Sequence, residues 1–227
     1  MGKRVLVWNE FEHEHTHDEV KKVYPDGMHV ALADAIAACP DFDDVRTATL
    51  RDPDQGLDDQ TLAGVDVIVW WGHMRHHDVT DENAERVASL VAEHGVGLVP
   101  VHSAHFSKPF IRVMGTTCSL GAWREEGEPE HVEVAAPDHP IAAGLPQKFT
   151  VPQTEMYDEP FDVPEPDVVV LRSTWDRGET FRSCCAWTRG EGRVVYVRPG
   201  HETYPIFYSD EFKTLLTNAV KWAAKLT

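Results

Sequence analysis

The residues of this sequence that could do chemistry come in short bursts, each at the end of an apolar run. "LVPVHSAHFSKPF" (Leu98–Phe110) reads as a buried strand that breaks into a helix, with His102 and His105 at the break. Spaced three apart across a helix start, the two imidazoles can reach one point. "VDVIVWWGHMRHH" ends in His73, His76 and His77, "RVVYVRPGHETYP" passes into His201 and Glu202, and "RVLVW" runs into Asn9, Glu10 and His13. Imidazole and carboxylate together suit a divalent ion, zinc first, with manganese or iron as alternatives. Taken singly, a histidine after a strand is more often a cap or a surface group, so the weight lies on their company. One of the three imidazoles in "HMRHH" is expected to face solvent. "EHEHTH" (Glu12–His17) has the look of a metal tract but sits among charges, and reads as solvated surface. His29, His94, His131 and His139 read as surface or helix residues.

The elements that must position these groups follow from hydrophobic periodicity. "RVLVW" suits a central parallel strand buried on both faces, followed by a polar loop to Gly27. "MHVALADAIAAC" has helical spacing and stops at Pro40, and "VRTATL" (Val45–Leu50) reads as a strand. "VDVIVWWG" (Val65–Gly72) is a strand rich in β-branched and aromatic residues, with Trp70 and Trp71 on opposite faces. "TDENAERVASLVAEHG" is a helix capped by Thr80 or Asp81 and closed by Gly95. "VGLVPVH" is the next strand, and Pro109 shortens or bends the helix after it. This alternation predicts a mostly parallel sheet with helices on both faces in a single α/β domain over 1–227. Beyond Gly115 the pattern changes to strands without long helices between them: "HVEVAA", "VVVLRS", "SCCAWT" and "RVVYVRPG", the last two joined at the hairpin signal "RGEG". Trp123 falls in an irregular segment, where it could stack on a sugar ring or simply pack a loop. "QTEMYDEPFDVPEPD" reads as an ordered loop, and "SDEFKTLLTNAVKWAAKL" as an amphipathic closing helix. In an open parallel sheet, ligands sit outside the carboxyl ends of the strands, which would gather the histidine bursts on one rim.

Composition narrows the partners. Acids outnumber bases 38 to 21, a net charge of −17, which argues against nucleic acid or an anionic membrane. No apolar stretch is long enough for a signal peptide or a membrane span, and the four cysteines lack CxxC spacing, so reduced thiols in a cytoplasmic protein are expected. Neither GxGxxG nor a P-loop occurs, so no nucleotide cofactor is expected. "VHSAH" does not meet GxSxG, although a hydrolase using Ser103 with a neighbouring histidine is a competing reading.

Several stretches in order along nearly the whole chain resemble one family: "VWNEFEHE", "YPDGMHVALAD", "VIVWWGHMRHHDV", "LVPVHSAHFSKPF", "MGTTCSLGAWRE", "EMYDEPFDVPEPD", "FRSCCAWTRGEGRVVYVRPGHETYP" and "NAVKWA". They look like the trehalose-utilisation, ThuA-like, family. The resemblance implies a flavodoxin-related, class I glutamine amidotransferase-like fold. True amidotransferases carry GxCxG at a strand-to-helix elbow. In that register Pro100 to Ala104 puts His102 where the nucleophilic cysteine would stand, so glutamine hydrolysis by a thiolate is not available. The resemblance further implies catabolism of trehalose or a related disaccharide, with a partner dehydrogenase first oxidising the sugar at C3. A base could then remove the acidified C2 proton while a metal holds the resulting enediolate, giving a lyase, a hydrolase or an isomerase. On that reading some of His73, His102, His105 and His201 hold the metal. Glu202 or Glu155 is the base, with His102 beside it, and Asn9, Trp123 and Ser103 contact the sugar. A non-catalytic sugar-binding or regulatory module on the same scaffold is the alternative, and a symmetric homo-oligomer is expected.

Overall fold

The apolar runs form a mostly parallel sheet that continues into antiparallel strands, as the alternation and its change after Gly115 predict. In the computed structural model, which describes residues 2–227, nine strands form one sheet in the order β2-β1-β3-β4-β9-β8-β7-β5-β6. These are β1 (Lys3–Asn9), β2 (Phe42–Thr49), β3 (Val67–Trp71), β4 (Gly97–Val101), β5 (Ala122–Val134), β6 (Lys148–Asp158), β7 (Val168–Thr174), β8 (Thr180–Arg189) and β9 (Gly192–Val197). Pairing is parallel from β2 through β9 and antiparallel from β9 through β6. The helices are α1 (His13–Thr16), α2 (Asp18–Val23), α3 (Met28–Ala37), α4 (Asp59–Leu62), α5 (Asp81–His94), α6 (Lys108–Met114) and α7 (Asp210–Ala223).

Alternate side chains of the central strands feed two cores. Val5, Val7, Trp71, Val99 and Val101 face α3 and α7 on one side. Leu6, Trp8, Trp70 and Leu98 face α5 and α6 on the other, with Trp8 and Trp70 stacked at 3.8 Å between ring centroids. Cys184 and Cys185 divide between the two cores in the same way, and all four cysteines are free. Burying both faces of β3 and β4 contributes about 1.5–3 kcal/mol for each large apolar side chain, which makes the strand ends a rigid platform. The helix ends match their sequence signals. Thr80 Oγ1 accepts the Asn83 N–H ahead of α5, Gly95 ends α5 at φ 72°, and Ser209 caps α7 through the Phe212 N–H.

Four sequence expectations are corrected. The polar stretch after β1 is not a loop but folds into α1 and α2. Residues Gln153–Asp158 are not loop but the end of β6, which tolerates Pro152 because it is a sheet edge, where a missing N–H costs no ladder bond. Trp123 lies on β5, paired with Tyr157, and not in an irregular segment. The segment after β4 opens as a 3-10 turn over His102–Phe106, and α6 starts afresh with Pro109 in its first turn, where the ring is compatible with a helix.

Candidate active site

Leaving β4, the chain turns sharply at His102, whose backbone is left-handed at φ 53°. A non-glycine residue held there is strained by roughly 1–3 kcal/mol, a cost that packing around it must offset. The packing is close. Gly200, at φ 159°, lies so near that a Cβ on it would sit 2.9 Å from His102 Cβ, and Tyr196 Oη donates to the His102 carbonyl at 2.9 Å. The imidazole stacks on Tyr157 at 12° between planes. Its Nδ1 is 3.2 Å from the Arg198 carbonyl, which can only accept, so the proton belongs on Nδ1 and the Nε2 lone pair points away. Nε2 lies 3.2 Å from Glu155 Oε2 on β6. Burial alone would push the Glu155 carboxyl up, but once the pair holds a proton the His102 imidazolium, with His201 and Arg198 nearby, outweighs it and holds the carboxyl well below its usual range. Behind this pair, Arg198 and Glu130 form a fully buried ion pair, and the Arg198 guanidinium covers the Tyr157 ring at 4.9 Å.

His102 and Glu155 stand at the edge of a cavity of about 400 Å³ at the carboxyl ends of the parallel strands, lined among others by His73, His105, Trp123, Glu155, His201 and Glu202. Larger hollows exist, including one of about 510 Å³ lined by Phe149, Val151, Ile206, Phe212 and Leu215, but it carries no imidazole and its walls are mostly apolar. The rim cavity joins a ligand-sized space to several convergent imidazoles and carboxylates with shifted titration, the combination that marks a reactive site. His105 Nδ1 is fixed on the Cys118 carbonyl at 2.8 Å, and burial lowers the imidazole to about 4. Ser103 Oγ donates to the Gly72 carbonyl at 2.9 Å, so the hydroxyl is not poised as a nucleophile. Trp123 is 64% exposed at the cavity mouth, where a ring face is free for a sugar. His76 also lines the cavity, while the His77 side chain is exposed, as one of that trio was expected to be.

His201 accepts the Thr203 N–H on Nδ1 at 3.1 Å, which places its proton on Nε2, and Nε2 donates to Glu125 Oε2 at 2.8 Å. Glu202 has no such help. Burial pushes its carboxyl up to about 8, assisted by the neighbouring Glu155, Glu125 and Glu10 charges. Its Oε1 faces His13 Nε2 at 3.5 Å. His13, named among the strand-end groups, was left out of the expected metal ligands because "EHEHTH" read as solvated surface. It is buried on α1 and pushed down to about 3, chiefly by burial. His73, lowered to about 4 for the same reason, stands beside it at 4.9 Å between ring centroids. Glu10 accepts the backbone N–H groups of His73, Met74 and Arg75 at 2.7, 2.7 and 2.9 Å, tying the end of β1 to the loop after β3. Asn9, expected as a sugar contact, is fully buried and spent on structure: its amide nitrogen meets Glu14 Oε1 and His29 Nδ1, and its oxygen accepts the Phe11 N–H. His29, read as a surface or helix residue, lies on α3 and is buried by that same network.

Three groups bring ligand atoms within 4.8 Å of one another among the described residues: His13, His73 and Glu202; His102, His201 and Glu202; and Glu125, Glu155 and His201. His105 joins none of them, while His102 and His201, two of the four imidazoles from which a metal's ligands were expected, fall in one group with Glu202 and His73 in another. Buried atoms without a hydrogen-bond partner nevertheless cluster here, including His13 Nδ1, His73 Nδ1, His102 Nε2, Glu155 Oε2 and Glu202 Oε2. A rim of unpartnered imidazole nitrogens and carboxylate oxygens fits a small divalent cation, since such atoms are costly to bury unpaired.

A parallel sheet with an antiparallel extension and a sharp elbow after β4 defines a class I glutamine amidotransferase-like scaffold, here with an imidazole at the elbow and no cysteine lining the cavity. A glutamine amidotransferase from Thermotoga maritima superposes with a TM-score of 0.55 at 12% identity, covering 99% of both chains. Within that class the family profile for trehalose utilisation, ThuA, matches residues 4–223, and the chain belongs to this family. A ThuA-like protein from Bacteroides uniformis superposes with a TM-score of 0.71 at 18% identity, covering 97% of this chain and 91% of that one. A second, from Parabacteroides merdae, gives 0.67 at 16% identity over 100% and 91%. No curated protein matches. No helix among the described residues is long and apolar enough to cross a membrane.

Proposed function

We propose that the chain is an enzyme of disaccharide catabolism that removes the C2 proton of a 3-keto-glycoside, such as an oxidised trehalose. Membership of the trehalose-utilisation family supports a carbohydrate role. The observation that carries the chemistry is the His102–Glu155 pair. With Nδ1 committed to the Arg198 carbonyl, an imidazole lone pair and a carboxylate oxygen face each other at 3.2 Å, Glu155 lining the cavity and His102 fully buried beside it. Such a pair takes up one proton between its two members, so the dyad is the base and neither residue need be assigned the proton alone. Glu202 is the less suited of the two carboxyls to be the base, because burial keeps it protonated up to about 8 when nothing positive adjoins it. A divalent cation, zinc by preference, held by imidazole and carboxylate of this rim would polarise the keto group and lower the acidity barrier at C2. Trp123 stacks a sugar ring at the mouth, and Ser103 and His105 line the floor. Breaking the glycosidic C1–O bond as C1=C2 forms completes an elimination, the departing aglycone oxygen taking the proton from the dyad, and return of that proton to another carbon completes an isomerisation. A sugar dehydrogenase acting at C3 supplies the substrate.

The test is to incubate the protein with 3-keto-disaccharides and follow the released monosaccharide or isomer. The expected result is turnover that falls by about 10²–10⁴ in Glu155→Gln with the fold intact. A protein that is thermally stabilised by sugars but turns over no ketosugar is instead the sugar-binding module.

A further inference from the structure

The geometry points to His13, His73 and Glu202 as a divalent-cation site, with Glu10 as the carboxylate that orients His13. This rests on reading the rim cavity as the reactive site, and it moves the cation from the elbow imidazoles to α1. Elimination leads there. His201 presents no free lone pair, because Thr203 N–H occupies Nδ1 and the Nε2 proton is given to Glu125. His102 has one lone pair, and it faces Glu155. His105 lies in no ligand group. What remains is the triad of His13, His73 and Glu202.

The triad has the marks of a built site. His13 and Glu202 are 4% and 7% exposed, yet His13 Nδ1, His73 Nδ1 and Glu202 Oε2 lack any hydrogen-bond partner. His13 Nε2 and Glu202 Oε1 are 3.5 Å apart, about the separation that two ligands on bonds of roughly 2.0–2.2 Å adopt around a tetrahedral ion. On the other side of the ring, Glu10 Oε1 lies 3.8 Å from His13 Nδ1, beyond hydrogen-bond length, and a small approach of the ring on binding an ion would complete a carboxylate–histidine–metal relay. Glu10 is itself locked by three backbone N–H groups from the loop that carries His73, so one carboxylate fixes both imidazoles. Two imidazoles and one carboxylate leave coordination positions open, and His73 and Glu202 line the cavity while His13 does not. The ion would therefore sit with its open side toward the substrate, beside the His102–Glu155 dyad, since Glu202 also approaches His102 within 4.8 Å. Zinc suits this donor set best, with manganese and ferrous iron next.

The test strips the purified, untagged protein of metal and titrates it with Zn²⁺ and with Co²⁺, reading stoichiometry by mass spectrometry and Co²⁺ binding by visible absorption. The expected result is about one equivalent per chain for the native protein and for His201→Ala. His13→Ala and the half-buried His73→Ala should hold less than a tenth of an equivalent, and Glu10→Gln should bind about 10–100-fold more weakly. Circular dichroism checks that each variant is folded, and His73→Ala, at the rim, stands if His13→Ala is not. Full occupancy in folded His73→Ala, or loss in His201→Ala alone, overturns the site. If the native protein takes no cation yet still turns over a ketosugar, this inference falls and the proposed reaction stands. Binding as expected without turnover sustains the site and sinks the reaction.

Discussion

His102 is the residue on which the site turns. It occupies the elbow of a scaffold whose amidotransferase members place a nucleophile there, in a left-handed conformation that ordinary side chains avoid. Asparagine tolerates that conformation, so His102→Asn should keep the thermal midpoint within a few degrees while removing Nε2. Ketosugar turnover should then fall by about 10²–10⁴, and a variant that keeps its rate would remove His102 from the dyad. How much of the site was legible depended on what each residue's burial required. His73, His102, His201 and Glu202 follow strands whose ends the sequence marks, so strand position alone brought them to the rim. His13 was legible as a strand-end group but not as a ligand, because "EHEHTH" has the composition of solvent-facing surface and His13 is buried only when α1 folds over the ends of β1 and β3. Asn9 shows the converse error: it stands at a strand end, but Glu14 and His29 consume its amide.

At the scale of elements, the site is held where the parallel and antiparallel halves of the sheet meet. β4 brings His102, β6 brings Glu155, and the segment after β9 brings Arg198, His201 and Glu202. The alternation of strands and helices was readable up to β4 from periodicity and caps. The end of β6 was not, because the prolines and acids around it look like loop and only its edge position permits Pro152. The buried Arg198–Glu130 pair braces this junction. Arg198→Met should cost about 3–5 kcal/mol in urea denaturation, since it leaves a buried carboxylate without its partner. Adding Glu130→Gln should return most of that loss, because the leftover charge is gone. A double variant as unstable as the single one would show that packing on Tyr157 and Trp175, and not charge, is what Arg198 supplies.

Over the whole molecule, burying so many imidazoles links stability to pH. Burial lowers His13, His73, His76, His105 and His201 to between about 2 and about 4. In the unfolded chain a histidine titrates near 6.5, so the stability these groups confer is complete above about 6.5 and is lost as pH falls below it, by up to about 1.4 kcal/mol per unit for each. Glu202 acts in the opposite sense: with its folded value raised to about 8, it favours unfolding progressively as pH rises from about 4.5 to 8. The metal-free protein should therefore melt highest near pH 6.5–7, fall steeply on the acid side and gently on the alkaline side. A melting temperature flat from pH 5 to 7 would mean that the imidazoles are not buried as described. The account as a whole stands on proton removal at C2 by the His102–Glu155 pair, and the most direct measurement follows a 3-keto-disaccharide in D₂O by proton NMR with the metal-loaded protein. The account predicts that the native protein either washes deuterium into C2 or consumes the sugar with loss of the C2 proton, and that Glu155→Gln does neither within the same time. Prompt chemistry at C2 in the variant, or none with the native protein, would contradict it.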